Sequence, residues 1–267
     1  MPASGVVAIA WPQLALAAGF ILVTAVLSLA LGLGLAKDLA VASARTYLQL
    51  LALGFVLRWV FAARLWWIVV VLLGIMTVVA TRIVLKRSPD APPGLFGSAF
   101  LSMALTSVTV TFAVTALIVR VPVWYEPRYV IPIAGMVLGN SMTGIALALE
   151  RLFSDLDSRT EEILALTALG ASRWELASAS VRTSLRAGLI PTINAMAAAG
   201  IVFIPGMMTG QVLAGADPLE ATKYQIVVML MVSAATAVGS IMAVMLSYRR
   251  RFSTDGVYLE KGIRGVR

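Results

Sequence analysis

The 267-residue chain contains neither cysteine nor histidine. The absence of cysteine excludes a disulfide framework and a thiolate metal site. The absence of histidine excludes a serine–histidine hydrolase, a histidine-ligated zinc centre and histidine-ligated haem. Enzymes that depend on any of these groups are therefore excluded, and we expect no catalytic residue and no cofactor in this chain.

Apolar residues, in contrast, are abundant: they make up 60% of the chain, and the mean hydropathy is +0.93. Soluble domains contain about 45–50% apolar residues. A chain this apolar cannot hide its surface in one water-soluble core, so lipid must be its solvent. We predict an all-α, multi-pass protein of the cytoplasmic (inner) membrane, with residues 1–267 forming a single transmembrane domain.

Seven apolar runs predict seven transmembrane helices, because most of them reach the roughly 20 residues needed to cross about 30 Å of hydrocarbon. If the N-terminus is outside, 16 of the 21 basic residues fall on inner segments and five on outer ones. This asymmetry predicts an N-out, C-in orientation. It also indicates that the basic residues behind the net charge of +8 set the membrane topology rather than bind nucleic acid. The runs lie near 12–35, 40–62, 65–84, 95–119, 129–149, 189–213 and 225–247.

The longest polar stretch, residues 150–188, falls on the predicted cytoplasmic side. Ser158-Arg-Thr-Glu161 and Ser172-Arg-Trp-Glu175 each match a capping box, in which the first and last side chains satisfy free backbone donors. Gly170 between them suits the left-handed position that ends a helix. The stretch therefore predicts a helix over 159–169, a tight turn and a second helix.

The second helix of this stretch is predicted to be amphipathic, and two interpretations follow. It could lie at the membrane interface, with Arg182 and Arg186 near lipid phosphates. It could equally form a docking surface for a cytoplasmic partner. Its apolar stripe, at spacings of three and four, consists of Trp174, Ala177, Val181, Leu185 and Gly188.

Charged residues are nearly absent from the middle of the predicted spans, which argues against a proton- or ion-coupled carrier. The polar residues that do occur there are either packing residues or the lining of a substrate path. Gly135, Gly139 and Thr143 repeat every four residues, a spacing that lets another helix approach closely. The candidates for a substrate path are Arg45, Gln49, Asn140, Ser141, Thr143 and Thr209.

The sixth predicted span contains the sequence Ile204-Pro-Gly-Met-Met-Thr-Gly210, which predicts a break. Proline removes a backbone donor, and a break inside a membrane is tolerated only within protein or beside a water-filled cavity. Met207 and Met208 offer thioether sulfur to a soft metal, or they fill space. Met136 and Met142 in the fifth span are further candidate metal ligands.

Several longer motifs resemble the FetB family of ABC-transporter permeases, and the resemblance covers nearly the whole chain. Arg45 with Gln49, Leu50 and Gly54 is similar to that family's second span. The other matching segments are Ile131–Met136 with Gly139–Met142, Ala168–Ser172, Arg182–Arg186 with Leu189–Pro191, Pro205–Gly210, and Ala214–Pro218 with Lys223–Gln225.

This resemblance implies a half-transporter. A permease of that family pairs with a separate cytoplasmic ATPase that carries ATP and magnesium, and two copies of each form the working unit in the lipid bilayer. The segment Leu164–Ser172 looks like the coupling segment of importer permeases, although leucine replaces the glutamate that opens it. The implied coupling residues are Leu169, Gly170, Ala171, Ser172, Arg173 and Trp174.

The predicted function is a permease subunit of an ATP-driven exporter of iron or another metal. The chain has no Gly-x-x-x-x-Gly-Lys-Ser/Thr phosphate loop, so ATP hydrolysis belongs to the partner. A permease for a non-metal solute such as a nucleotide sugar is the main alternative. A secondary carrier would need transport without an ATPase, and a membrane-embedded enzyme would need turnover by the purified chain alone.

Overall fold

The computed structural model describes residues 9–63, 65–253 and 257–259. Within these ranges the chain folds into nine α-helices, with two isolated bridges in place of any sheet. Two compact units are formed: one ends at Leu65 and includes Gly210–Asp217, and the other comprises Trp66–Thr209 and the chain from Pro218 onward. The single transmembrane domain stays a prediction, and each unit is described separately.

The first unit consists chiefly of two long apolar helices, α1 (Trp11–Ala30) and α2 (Ala36–Ala63). They pack against each other, and the Tyr47 hydroxyl donates a hydrogen bond of 2.9 Å to the carbonyl of Leu14. Only 6% of the most apolar window of each helix is buried. Both helices therefore present apolar side chains outward, as helices solvated by lipid do.

The second unit contains the main core, which is built around the longest helix of the described chain. The remaining elements of the described chain are α3 (Trp66–Lys86), α4 (Phe96–Ala113), a π-helical segment (Val114–Ile118), α5 (Pro127–Ser158), α6 (Thr160–Ala168), α7 (Arg173–Ala198), α8 (Gly206–Leu213), α9 (Pro218–Ser247) and a 3-10 turn (Tyr248–Arg251). The longest of them, α5, packs against α7, α9, α3 and α4. The second half of α8 groups with the first unit.

Two glycines allow the closest helix packing in this core. A Cβ atom on Gly188 of α7 would lie 2.6 Å from the carbonyl oxygen of Gly144 on α5, and one on Gly144 would clash with Thr236 Cγ2 on α9. Only glycine fits at such a crossing. Within the described chain the repeat of Gly135, Gly139 and Thr143 does not mark the closest approach, because a Cβ on Gly139 would meet no atom within 4 Å and one on Gly135 would make only an ordinary contact at 3.5 Å.

Six continuous helices of the described chain are long and apolar enough to cross a membrane, which confirms a multi-pass, all-α membrane protein. They correspond to six of the seven predicted spans. The remaining predicted span, 189–213, is not one helix: α7 ends at Ala198 and α8 begins at Gly206. The break was predicted at Pro205, and it also contains Gly200 at a φ of +82°. The N-out, C-in orientation stays a prediction.

The end of α5 is fixed by a buried ion pair. Arg251 Nη2 lies 2.9 Å from Asp157 Oδ2 and donates a 2.8 Å hydrogen bond to the carbonyl of Asp90. The Tyr258 hydroxyl donates to the other oxygen of Asp157 at 2.8 Å, and the Arg251 guanidinium lies 5.6 Å from the centre of the Phe153 ring. Burial raises the pKa of Tyr258, so its hydroxyl stays protonated and keeps donating. We call this cluster the α5 anchor.

Candidate functional site

A sharp corner joins α6 to α7. Gly170 has a φ of +83°; its N–H donates to the Thr167 carbonyl at 3.0 Å, and the Ala171 N–H donates to the Leu166 carbonyl at 3.1 Å. These two bonds form a Schellman motif, which satisfies the carbonyls at the end of a helix. The predicted turn at Gly170 is thus confirmed. We call residues 169–174 the α6–α7 corner.

The second capping box is confirmed, and the first is wrong. The Glu175 N–H donates to Ser172 Oγ, and Glu175 Oε2 accepts from the Ser172 N–H at 2.7 Å. The Ser172 hydroxyl also donates to Glu175 Oε2 at 2.7 Å, and this bond, together with that of the Ser172 N–H, holds the pKa of the Glu175 carboxyl below its ordinary value. Ser158 instead remains in α5, where its hydroxyl donates to the Asp155 carbonyl, and α6 begins without a side-chain cap.

The helices on either side of the α6–α7 corner pack against the core, whereas the tip of the corner is exposed to solvent. Ile163 of α6 is fully buried, and Leu166 packs against the same core cluster. Arg159 just before α6 reaches Ser180 of α7 at 3.0 Å. At the tip, the Leu169 side chain is 83% exposed. The chain thus presents an apolar side chain on a rigid support.

The apolar stripe predicted for α7 is already occupied by protein. Ala177, Val181 and Gly188 are buried. Trp174 packs edge-on against Tyr248 at 5.9 Å between ring centres, although it stays partly exposed. Because the core covers most of this stripe, little of it is available to lie on a lipid surface.

A second feature of the same unit is a cavity of about 350 Å³ at the break between α7 and α8. Four segments line it: α5, the second half of α7, the break with the first turn of α8, and α9. The lining residues are Met136, Asn140, Thr143, Gly144, Gly188, Pro191, Thr192, Ala195, Phe203, Pro205, Gly206, Met207, Gln225, Val228, Met229 and Val232. We call this space the break cavity.

The polar atoms of the break cavity are amides and hydroxyls. Asn140 Nδ2 donates to the Met136 carbonyl at 2.8 Å, which leaves its own carbonyl oxygen available. Thr143 donates its hydroxyl proton to the Gly139 carbonyl and can only accept from a ligand. Gln225 is 7% exposed, and its Oε1 has no hydrogen-bond partner.

Four of the residues predicted from the sequence meet in this cavity: Met136, Asn140, Thr143 and Met207. Three of them lie on α5 and Met207 lies on α8, so the fold brings two helices together at this cavity. Their roles in binding stay predictions. In the described part of the chain, no group of three or more aspartate, glutamate, histidine or cysteine residues could hold a metal ion.

The other predicted residues of the second unit lie elsewhere. Ser141 is buried inside the helix packing, and Met142 packs against the main core cluster. Met208 Sδ lies 3.8 Å from the Thr222 hydroxyl of α9. The Thr209 hydroxyl donates to a carbonyl of the break at 3.1 Å. None of these side chains is among those that line the break cavity.

Arg45 and Gln49 belong to the first unit. Both side chains are exposed on α2. A groove between α1 and α2 is lined by their neighbours Thr46, Tyr47 and Leu50. Whether Arg45 and Gln49 line a substrate path stays a prediction.

Among the polar and sulfur-bearing residues that line the break cavity, sequence reasoning missed Thr192, Gln225 and Met229. A signal for Gln225 was present, because it is the amide at the start of the long apolar run 225–247. A polar side chain at the start of a span is as easily explained by the membrane interface. Only its burial beside the break distinguishes it.

The comparisons with known proteins agree with this architecture. Residues 11–252 match the model of the Uncharacterised protein family (UPF0014). A UPF0014 membrane protein of Synechocystis sp. is 39% identical over 83% of this chain and 86% of its own length. No solved structure matches the chain.

Two further relatives have more specific names. The UPF0014 membrane protein STAR2 of Oryza sativa is 37% identical over 83% of this chain and 76% of its own length. The probable iron export permease protein FetB of Escherichia coli is 32% identical over 91% of this chain and 92% of its own length. With the family model covering all of the described helices, this multi-pass membrane protein belongs to the UPF0014 family.

Proposed function

We propose that this chain is the permease subunit of an ATP-driven ABC transporter that exports a metal, with iron as the leading candidate. Two copies would pair with two cytoplasmic ATPase subunits. The observation that carries the proposal is the α6–α7 corner, where a rigid backbone holds an exposed leucine away from the core. The similarity to a protein named as a probable iron export permease supports the choice of cargo.

A corner of this kind suits the transmission of force. Hydrogen bonds of a Schellman motif and a capping box stiffen the two helices that meet at Gly170. Ile163 and Leu176 anchor those helices in the core on either side of the tip. A partner that grips Leu169 would therefore move α6 and α7 together.

Movement of α7 would reach the break cavity directly. The first half of α7 follows the corner, and its second half supplies Pro191, Thr192 and Ala195 to the cavity wall. ATP-driven closure of the partner subunits would thus change the shape of the cavity. This is alternating access between two states, with the partner's ATP supplying the bias.

Two substitutions at Gly170 test the docking role. A Cβ at this position meets no atom within 4 Å, so the cost comes from the positive φ and not from a clash. Gly170→Val should be more harmful than Gly170→Ala, because a β-branched residue is strongly disfavoured at positive φ. We expect the valine variant to accumulate in the membrane but to lose its ATPase on purification, or to hydrolyse ATP without transport.

Leu169→Ala provides a matched test, because it keeps the backbone and removes only the exposed apolar contact. It should weaken retention of the ATPase without lowering the melting temperature of the permease. Wild-type retention and wild-type vesicle transport in Gly170→Val would show that the corner has no docking role.

A further inference from the structure

The break cavity has an unusual composition for a metal site. Among the described residues that line it, none carries a charge, and its only sulfur atoms are those of Met136, Met207 and Met229. Thioethers suit soft metals, whereas hard cations prefer carboxylate, carbonyl or water oxygens. A bare multivalent iron ion would enter this cavity without a compensating charge, which is strongly disfavoured.

The end of α8 that faces the cavity favours a negative charge. Gly206 and Met207 begin this eight-residue helix and line the cavity. Their backbone N–H groups have no hydrogen-bond partner within the helix. The first N–H of α8 that donates to a backbone carbonyl is that of Thr209, which donates to the Pro205 carbonyl. The helix dipole adds positive potential at this end. A Cβ built on Gly206 would meet no atom within 4 Å, so a ligand oxygen has room to approach.

Gln225 supplies an independent observation in the same cavity. Its side chain is more than nine-tenths buried, and its Oε1 has no donor. A buried oxygen without a donor is costly, and native structures rarely leave one unpaired. The available carbonyl oxygen of Asn140 is a second acceptor on the opposing helix α5. A ligand hydroxyl would satisfy the Asn140 oxygen directly, and the Gln225 oxygen once its amide turns toward the cavity.

We propose that the break cavity binds a hydroxylated oxyanion, so that a metal cargo crosses with its own chelator. An anionic oxygen lies on the N–H groups of Gly206 and Met207, and a ligand hydroxyl donates to Gln225 Oε1. The metal keeps the chelator's ligands, and the methionines provide only apolar contact. A volume of about 350 Å³ is within the range of small-molecule sites. This inference rests on the proposed function for the identity of the cargo, but the binding site can be tested without it.

Binding of citrate, which carries three carboxylates and one hydroxyl, tests the site in the purified permease–ATPase complex. Isothermal titration calorimetry without ATP measures this binding. Gln225→Leu should raise the Kd of citrate about tenfold, as expected when a buried hydrogen bond is lost. The melting temperature of each variant serves as a check of folding.

Gly206 offers a matched pair of variants at the helix end. Both Gly206→Pro and Gly206→Ala add a Cβ into open space, and proline is favoured at the first position of a helix. Only the proline removes the N–H. Gly206→Pro should therefore weaken citrate binding severalfold more than Gly206→Ala does, because only the alanine variant keeps the N–H.

The methionines provide the opposite control. The triple variant with leucine at positions 136, 207 and 229 keeps approximate volume and the backbone N–H groups but removes all the sulfur, so it should change the Kd of citrate far less than Gln225→Leu does. Absence of citrate binding by the wild-type complex would overturn the proposal. Wild-type affinity in both Gln225→Leu and Gly206→Pro would overturn it as well.

Vesicle transport then distinguishes whether the transported oxyanion is a metal–chelator complex or a free organic acid. ATP-dependent uptake into inverted vesicles is compared for iron(III) citrate, citrate alone and iron(II) kept reduced by ascorbate. Preference for iron(III) citrate supports a metal–chelator complex, and equal uptake of citrate alone supports an organic oxyanion at the same site. Uptake of iron(II) that is indifferent to citrate and to Gln225→Leu would overturn the inference. If no solute is transported while citrate still binds, the proposed function fails and the binding site stands.

Discussion

Adding a single methyl group at Gly188 should destabilise the membrane core. In Gly188→Ala the new Cβ would lie 2.6 Å from the Gly144 carbonyl oxygen and 2.9 Å from Ala148 Cβ, where ordinary contacts begin at 3.4 Å. The shortfall of about 0.8 Å (3.4 minus 2.6) is against backbone, which cannot rotate away. The helices α5 and α7 must therefore separate at their crossing.

The expected cost follows from two opposing effects. Overpacking a well-packed core costs about 1–3 kcal/mol, and replacing glycine by alanine within a helix returns up to about 1 kcal/mol. The net loss of about 1–2 kcal/mol should lower the melting temperature by about 4 °C in a chain of this size. Thermal unfolding in detergent, followed by tryptophan fluorescence, measures this shift.

Gly139→Ala is the matched control for this prediction. It lies on α5 five residues before Gly144, and its Cβ would meet no atom within 4 Å. Gly139→Ala makes the same gain in helix propensity without a clash, so this variant should melt at or above the wild-type temperature. If Gly188→Ala melted at or above the wild-type temperature, the close crossing of α5 and α7 would be wrong.

Two further predictions concern the ends of the helices. Ser172→Ala should cost about 1 kcal/mol, because it removes the N-cap of α7, whereas Ser158→Ala should cost almost nothing, because that hydroxyl caps no helix; chemical denaturation of the two variants in parallel gives both values. Asp157→Asn should cost on the order of 3 kcal/mol, because it leaves the buried Arg251 guanidinium without its carboxylate, and Tyr258→Phe only about 1 kcal/mol. Equal melting temperatures for the last two variants would contradict the role of the α5 anchor.

The parts of the fold that depend on neighbouring residues could be read from the sequence. The corner at Gly170 was predicted because its Schellman motif and the capping box at Ser172 join residues at most five positions apart. The box at Ser158 was wrong for an equally local reason. Ser158 remains in α5, which continues nine residues past the end of the predicted span, so no helix begins there.

Contacts between distant residues could not be read in this way. Arg251 and Asp157 are 94 positions apart, and nothing in either neighbourhood indicates the other. The crossing of Gly144 and Gly188 is equally invisible, because a glycine repeat signals that some helix can approach but not which face it uses. Gly139, although part of such a repeat, faces open space.

Only some of the predicted site residues of α5 line the break cavity, and helical geometry explains which of them do. Asn140 and Thr143 lie three residues apart and share the cavity face of α5, whereas Ser141 and Met142 point into the packed core. A helix turns by about 100° per residue, so adjacent polar residues cannot all face one cavity. Which of them does so depends on the position of the other helices.

The broken segment determines on which sides of the membrane the two chain ends lie. An α8 of eight residues is about 12 Å long, and the 12 residues of α7 after Arg186 add about 18 Å, so neither piece alone crosses about 30 Å of hydrocarbon. Six continuous crossings return the chain to the side on which it started. An additional crossing through the broken pair makes the number odd and places the ends on opposite sides. A reporter at each end therefore reads out whether the two short pieces together traverse the bilayer, without any need to resolve the break itself.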